Sequence, residues 1–501
     1  RLSRSIRRRE EAGILELSGR RIFRNFAALS LAQGVGAVCG FVTVVVLARA
    51  LGPEAYGVLG LGVAVISYFG LAANFGMDHH GVREISRDES QTAAIVGTVV
   101  AGRALMAVLL FCAIYGVTVF GGLPPALATV LLIQAAGMAF IAINLEFAYQ
   151  GLQRMTAMAW RQVAAALLVA GATVILIGEP GDLFAAAAIP VAASAATALV
   201  MFGHYMTLGY GLRVRRRLAA HWGFVRRAAP VALMGALNTI YINLDIVILG
   251  FLRPEREVGL YVAATRVLFM LLIAMNILHS TFLPALSKAG ADEAEKIRIA
   301  RTYARIIGFL GSGIAVGGAV LALPAIRVLF GDAFAAAHVS LVVLMLNAGF
   351  VHFAQAYGTP LLAWQSDRAY LKVVAIGAVL NLVLNFALIP PYGIEGAAAA
   401  TLITQAVLFV TLAHIVKAAY MLDHLKLLAQ SLGLAVVCGL PLFGFVSHWP
   451  GIPAWIQLAA GGIFAVVYTA AAARFGIIDL KRLRAVLAGG DRTATGDDGA
   501  M

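Results

Sequence analysis

The 501 residues are 61% hydrophobic and 13% charged, with a mean hydropathy of +0.89, far beyond the roughly half-apolar usage of soluble domains. A water-soluble fold cannot hide that much apolar surface, and no stretch is left for a folded soluble domain. The net charge of +13 would suggest nucleic acid on a soluble protein, so the placement of the cations has to decide its meaning.

Apolar runs fall near 26–48, 58–77, 93–120, 126–149, 160–178 and 183–208, then near 229–252, 258–283, 302–324, 336–362, 373–390, 396–419, 427–446 and 455–474. Each is close to the 20 or so residues that a helix needs to cross a hydrocarbon core of roughly 30 Å. The expected architecture is therefore all-α, a polytopic membrane protein of about 14 transmembrane helices. The first 24 residues lack the apolar core of a signal peptide, so the first run is read as a retained span. Cys39, Cys112 and Cys438 all lie in apolar runs without paired spacing and read as small core residues.

With the N-terminus cytoplasmic, alternate loops should carry the Lys and Arg excess. The outer loops then hold only Arg49, Arg253, Arg256 and Arg327, and Arg266 falls inside a span, which leaves 33 of the 38 Lys and Arg on the inner side. Moving Arg103 from the inner tally into the bilayer does not remove the asymmetry. Both termini are thus expected in the cytoplasm of a cell bounded by this membrane. The richest inner stretch, Arg213, Arg215, Arg216, Arg217, Arg226 and Arg227, separates spans six and seven. Topology signal and contact with anionic headgroups account for it; recruitment of a pyrophosphate head is the alternative.

The segment LARALGPEAYGVLGL at 47–61 recurs loosely as LGFLRPEREVGLY at 249–261, and GLQRMTAMAWRQV at 151–163 parallels AWQSDRAYLKVV at 363–374. Spans one to six and seven to twelve therefore read as a parallel repeat of two six-helix lobes, with two C-terminal helices appended. The resulting division is a basic tail (1–25), an N-terminal lobe (26–208), a basic linker (209–228), a C-terminal lobe (229–419), spans thirteen and fourteen (420–474) and a cytoplasmic tail (475–501). Substrate sites in transporters built on such repeats lie near the midplane between the halves.

The LGPEAYG turn, FGMDHHGVREISR at 75–87 and above all LNLVLNFALIPPYGIEGAAAATLITQ at 380–405 resemble the polysaccharide flippase branch of the multidrug/oligosaccharidyl-lipid/polysaccharide exporter superfamily. The resemblance covers nearly the whole chain. It implies a flippase in a bacterial cytoplasmic membrane that moves a polyprenyl-diphosphate-linked oligosaccharide to the outer leaflet, by alternating access and without a cofactor. Membrane lipids, a polysaccharide polymerase and glycosyltransferases are the partners it implies. Independently, Gly52 with Pro53, and Pro390 and Pro391 with Gly393, are helix stops suited to tight turns.

Ionisable groups within spans are costly and tend to face a cavity or a partner. Asp245 and Arg266 lie on successive spans at similar depth below one outer turn and are expected either to pair or to meet substrate. Asn238, Tyr241 and Asp245 follow i, i+3, i+7 spacing, so they share a helix face able to hydrogen-bond sugar hydroxyls. Arg103, flanked by apolar residues in span three, is the best single cation for the lipid diphosphate, with snorkelling to the interface as the plainer reading. Arg49, Asp78, Glu146 and Gln150 are secondary, gate-like candidates. His352 and Gln355 face one way in span ten and suit a helix-to-helix hydrogen bond. His79 and His80 come without a metal motif, and no nucleotide-binding or nucleophile motif occurs. A cation-coupled multidrug antiporter, a peptidoglycan-precursor flippase and a membrane-embedded glycosyltransferase or polymerase are the competing readings. The first is disfavoured by the absence of Asp or Glu between Phe26 and Ala48, the second by the uncharged second span and the third by the short outer loops.

Overall fold

A computed structural model describes residues 2–214, 242–289, 292–364, 367–420 and 423–478, with side chains from residue 28 onward except Asp367 and Arg368. Asn238, Tyr241 and the linker arginines after Arg213 lie outside the described residues. The described chain is helical, without a strand, as follows from spans in which every backbone polar group must be satisfied within its own segment. Its first unit, Arg1–Gly259, contains α1 (Leu2–Asn74), α2 (Met77–Arg87), α3 (Thr92–Phe120), α4 (Pro125–Ala136), α5 (Met138–Ala142), α6 (Glu146–Gly151), α7 (Met155–Leu176), α8 (Leu183–Thr207) and α9 (Ile242–Leu252). The helix α10 (Glu255–Lys288) begins in this unit and continues into the second, Leu260–Met501. There follow α11 (Glu293–Val320), α12 (Ala322–Phe330), α13 (His338–Ala363), α14 (Asp367–Tyr420), α15 (Leu425–His448) and α16 (Ala454–Arg474).

Eleven helical stretches among the described residues are long and apolar enough to cross a membrane. Two of them are double. A straight helix of the 73 residues in α1 would extend about 110 Å, several times the bilayer core, and α1 breaks at Gly52 (φ 70°, ψ 173°) immediately before Pro53. The 54 residues of α14 break at Gly393 (φ 56°, ψ −130°) after Pro390 and Pro391. Counting each as two raises the eleven to thirteen, and apolar α9 is the described end of one further segment. The protein is thus a multi-pass membrane protein.

The fold-back in α14 depends on one glycine. Along a straight helix Gly396 would stand about 12 Å from Leu388. Instead, a Cβ placed on Gly396 would come 2.1 Å from the Leu388 carbonyl oxygen and 3.1 Å from the Ile389 nitrogen, so the two arms lie side by side and touch through the main chain.

Span four is interrupted twice, after Ala136 and between Ala142 and Glu146, which divides it into α4, α5 and α6. Beside it, α2 carries buried residues at Met77, Gly81 and Ile85, one helical stripe, with Asp78, Arg83, Glu84 and Arg87 around it. It packs on α6 at close range, because a Cβ on Gly81 would lie 2.7 Å from the Phe147 ring and one on Gly151 2.8 Å from Ile85. Ile85, Val96, Val99, Phe147, Tyr149 and Tyr205 form the core where α2, α3, α6 and α8 meet.

In the second unit, Phe282, Tyr303, Ile307, Tyr357 and Leu412 join α10, α11, α13 and α14 in one core. The two C-terminal helices pack on α11: Phe464 and Tyr468 of α16 stack on one another, Tyr468 stacks on Phe309, and the Tyr468 hydroxyl donates to the Phe309 carbonyl at 3.0 Å. Small residues permit this closeness, Gly317 facing Phe464 and Gly439 facing Val316, as helix association in lipid requires.

Gly396→Ala is expected to destabilise the protein by about 1–3 kcal/mol, the usual cost of forcing extra volume into a packed site. Thermal unfolding in detergent checks this against Gly462→Ala, where a Cβ would have open space and no loss is expected.

Candidate functional site

Arg103 sits in the middle of apolar α3 with its side chain only 2% exposed. Its surroundings explain how a buried guanidinium is tolerated. It forms an ion pair with Asp78 of α2, and Nη2 also donates to Asn74 Oδ1 at 2.7 Å. Asn74 in turn donates to Asp78 Oδ2 at 2.9 Å. Nη1 donates to the Asn144 carbonyl at 3.0 Å, with the Ile141 carbonyl at 3.5 Å. These carbonyls stand where span four is broken, and a helix end in lipid leaves such oxygens without intrahelical donors. The guanidinium carbon lies 5.2 Å from the Phe147 ring centre, a cation–π contact. Arg103 therefore closes the break between α5 and α6 and ties it to the end of α1 and to α2. The structure brings Arg103 and Asp78 together; the sequence alone places them in separate roles.

A second pair joins Glu146 at the start of α6 to Arg161 of α7, whose Nε donates to Glu146 Oε1 at 2.9 Å. One turn further on, Tyr149 donates to the Met201 carbonyl at 3.1 Å and pairs with His204 Nδ1 at 2.7 Å, linking α6 to α8. Gln150 and Arg49 are exposed. Asp245 in α9 is buried, with Oδ1 accepting the Ile246 N–H at 2.9 Å.

The recurring turn segments also meet within the first unit. A Cβ on Gly57 would lie 1.9 Å from the Glu255 carbonyl oxygen, and one on Gly259 would lie 1.8 Å from the Pro53 carbonyl oxygen. The starts of the two helices that follow Pro53 and Pro254 therefore cross in direct main-chain contact. Only hydrogen at Cα leaves room for it.

In the second unit, Arg266 of α10 is half-buried and forms no ion pair with the described residues of that unit. A polar cluster lies further along: Thr359 Oγ1 is 2.9 Å from His279 Nδ1, 3.0 Å from the Tyr303 hydroxyl and 3.2 Å from Gln355 Oε1. Gln355 thus takes part in a contact between helices through Thr359. His352 does not reach another helix: its Nδ1 bonds the Ala348 carbonyl of its own helix at 2.7 Å and Nε2 has no partner, in a site walled by Gly311. Among the described residues no group of three or more His, Cys, Asp or Glu could hold a metal.

Asn74, Arg161, Tyr149, His204, His279, Tyr303 and Thr359 are members of these clusters that sequence reasoning missed. Asn74 and Asp78, at i, i+4, carried a usable local signal. Glu146 and Arg161 are fifteen positions apart and carried none.

Taken together, the spans and their internally matched charges define a polytopic helical membrane protein. The chain belongs to the family of polysaccharide biosynthesis proteins, which it matches over residues 22–290. It is similar to the probable flippase AglR of Haloferax volcanii, 32% identical over 179 residues, which are 33% of this chain and 36% of that protein. The match thus spans little more than a third of that relative. Among solved structures it is similar to the lipid II flippase MurJ in an inward closed conformation, with a TM-score of 0.71 at 16% identity, over 90% of this chain and 99% of that one. It is also similar to an inward-facing multidrug resistance MATE family transporter of the MOP superfamily, with a TM-score of 0.61 at 14% identity, over 79% and 98% of the two chains. At these identities the likeness is one of fold.

Removing the carboxylate beside a buried guanidinium leaves an uncompensated charge. Asp78→Ala is expected to cost about 3 kcal/mol, at the low end for breaking a buried pair because Asp78 is itself 38% exposed. A double-mutant cycle with Arg103→Met, read by denaturant unfolding in mixed micelles, should show that the double variant loses less than the sum of the singles.

A second expectation concerns His424, in the turn before α15. Its backbone N–H donates to the Tyr357 hydroxyl at 3.0 Å, and neither ring nitrogen has a partner. Burial, aided by the charge of Arg301, pushes its pKa down to about 4. The unfolded chain therefore binds a proton that the folded chain refuses between pH 6.5 and 4. This contribution to stability is complete above pH 6.5 and falls as the pH drops through that window. Melting temperatures measured from pH 7 to 4 should decline less steeply in His424→Phe.

Proposed function

We propose that the protein is a flippase that carries a polyprenyl-diphosphate-linked oligosaccharide from the cytoplasmic to the outer leaflet of a bacterial cytoplasmic membrane, by alternating access, for cell-surface polysaccharide synthesis. The family, the named activity of AglR and the transporter fold support this reading. In it the protein is a transporter and not an enzyme, and both termini face the cytoplasm. The enzymes that build and polymerise the same lipid-linked sugar are its expected partners.

The geometric observation that carries the proposal is the contrast between its two span arginines. Arg103 is held by Asp78, Asn74 and main-chain carbonyls, with Nε alone left without a partner. Arg266 meets no carboxylate among the described residues of its own unit, and a cation inside an apolar span is suited to a diphosphate or an acidic sugar. Arg103 then acts in this reading by shaping the first lobe, while Arg266 supplies a substrate contact in the second. The antiporter alternative needs a carboxylate for its cation. Asp78 and Glu146 are both held by arginines, which leaves buried Asp245 as the carboxylate that reading would use.

Arg266→Ala should lower the initial rate of flipping in proteoliposomes about tenfold to a hundredfold, the worth of one charged hydrogen bond, and leave the melting temperature within a few degrees of wild type. An unchanged rate would remove Arg266 from the mechanism. Arg103→Ala should lower flipping together with the yield of folded protein. Mass spectrometry of lipid retained in native nanodiscs tests the substrate class directly: a polyprenyl diphosphate sugar is expected, and a bare cationic amphiphile would reverse the reading.

A further inference from the structure

The first unit has an apolar groove of about 400 Å³ between α7 and α8. Its floor is made of small or flexible residues, Ala164, Ala196, Thr197 and Met201, and its rims are Trp160 and Val200. Trp160 is 71% and Val200 74% exposed. The two helices run antiparallel, so residues early in α7 and late in α8 share one end. From Ala157 to Leu168, both lining residues, α7 rises about 16 Å, close to half of a hydrocarbon core of roughly 30 Å. The groove thus has the length of one leaflet.

Its two ends differ in chemistry. The far end is closed by Leu168 and Ala196, whereas the near end carries Arg161, His204 and the indole of Trp160. Arg161 directs Nε and Nη2 at one oxygen of Glu146, so three of its five N–H groups point to no protein acceptor among the described residues. The Tyr149 hydroxyl donates to the Met201 carbonyl and hence accepts from His204 Nδ1, which leaves Nε2 turned outward on an exposed side chain. Arg154, also exposed, is anchored to the same end by its backbone N–H, which donates to the Tyr149 carbonyl at 2.8 Å. Glu146 balances Arg161, and Glu89, which accepts from the Tyr210 hydroxyl that Arg154 also faces, balances Arg154, so what this end offers a ligand is the three unused N–H groups of Arg161.

We propose that the groove between α7 and α8 is a binding site for an anionic phospholipid of the surrounding membrane, with one acyl chain along the Ala164–Ala196 floor and its phosphate against Arg161. This goes beyond the translocated substrate. A structural lipid fits the length of one leaflet, the apolar floor, the cation at the headgroup level and the indole placed where amphipathic rings settle. Anionic headgroups are favoured over zwitterionic ones because the latter would bring a second cation beside Arg161.

The full-length protein, purified and stripped in detergent, is to be re-equilibrated with phosphatidylglycerol or phosphatidylcholine and examined by native mass spectrometry. Wild type should retain one phosphatidylglycerol per chain under conditions that remove phosphatidylcholine. Ala196→Phe, which fills the floor, should lose it, and Arg161→Gln should reduce the preference about fivefold, the factor one arginine contributes near an anionic headgroup. Because either variant could also disturb the fold, wild-type protein is to be labelled with phosphatidylglycerol bearing a photoreactive acyl chain. Labelling at Trp160, Leu168 or Val200 is expected. Equal retention of the two lipids, undiminished retention by folded Ala196→Phe, labelling confined to other helices, or displacement of phosphatidylglycerol by polyprenyl diphosphate would each overturn the proposal. None of these readouts depends on flipping, so failure here leaves the proposed function standing, and the converse holds.

Discussion

A guanidinium buried in the bilayer organises the first unit. Hydrogen bonds to the broken fourth span would be missing without a donor, and in lipid there is no water to replace it. Arg103 supplies that donor, and Asp78 and Asn74 supply the neutralising and orienting groups. The arrangement is reciprocal: the break makes acceptors that keep the cation buried, and the cation makes the break sustainable. Because Asp78 belongs to α2, Asn74 to α1 and the carbonyls to the α5–α6 break, one side chain fixes four pieces of helix at a single point. The Gly81–Phe147 and Gly151–Ile85 contacts then bring α2 and α6 close enough for that geometry to persist.

The rest of the molecule reaches similar closeness without charge. The C-terminal pair α15 and α16 rests on α11 through aromatic rings opposed to glycines, and the arms of α14 meet at Gly396. In a medium as apolar as the side chains themselves, area burial gives helices little reason to associate, so fit of shape has to supply it.

The spans were legible because hydropathy has no competitor as a signal at this composition, and the breaks at Gly52 and Gly393 were legible because glycine and proline stand together there. The interruption of span four was not. The run LLIQAAGMAFIAINLEFA is apolar almost throughout, so periodicity gives no cue that backbone carbonyls open at Ile141 and Asn144. Without that cue Arg103 reads as an unpaired cation available to substrate. Glu146 and Arg161, and Tyr149 and His204, are brought together by tertiary folding across intervening helices, which no local spacing encodes. Gln355 and His352 both bond within their own helix, to Thr359 and to the Ala348 carbonyl, and it is Thr359 that reaches His279 and Tyr303 of other helices.

The crossing of Gly57 with Gly259 has a consequence for control. Main chain touches main chain there, and neither glycine offers a group that can be protonated, screened or chelated. The attraction is dispersion, which a gap of 0.5–1 Å already cuts by a quarter to a half. Such a joint is steeply sensitive to distance and indifferent to salt and acidity. Changes of salt or pH therefore act on other residues, and this crossing holds or parts only with the helices that carry it.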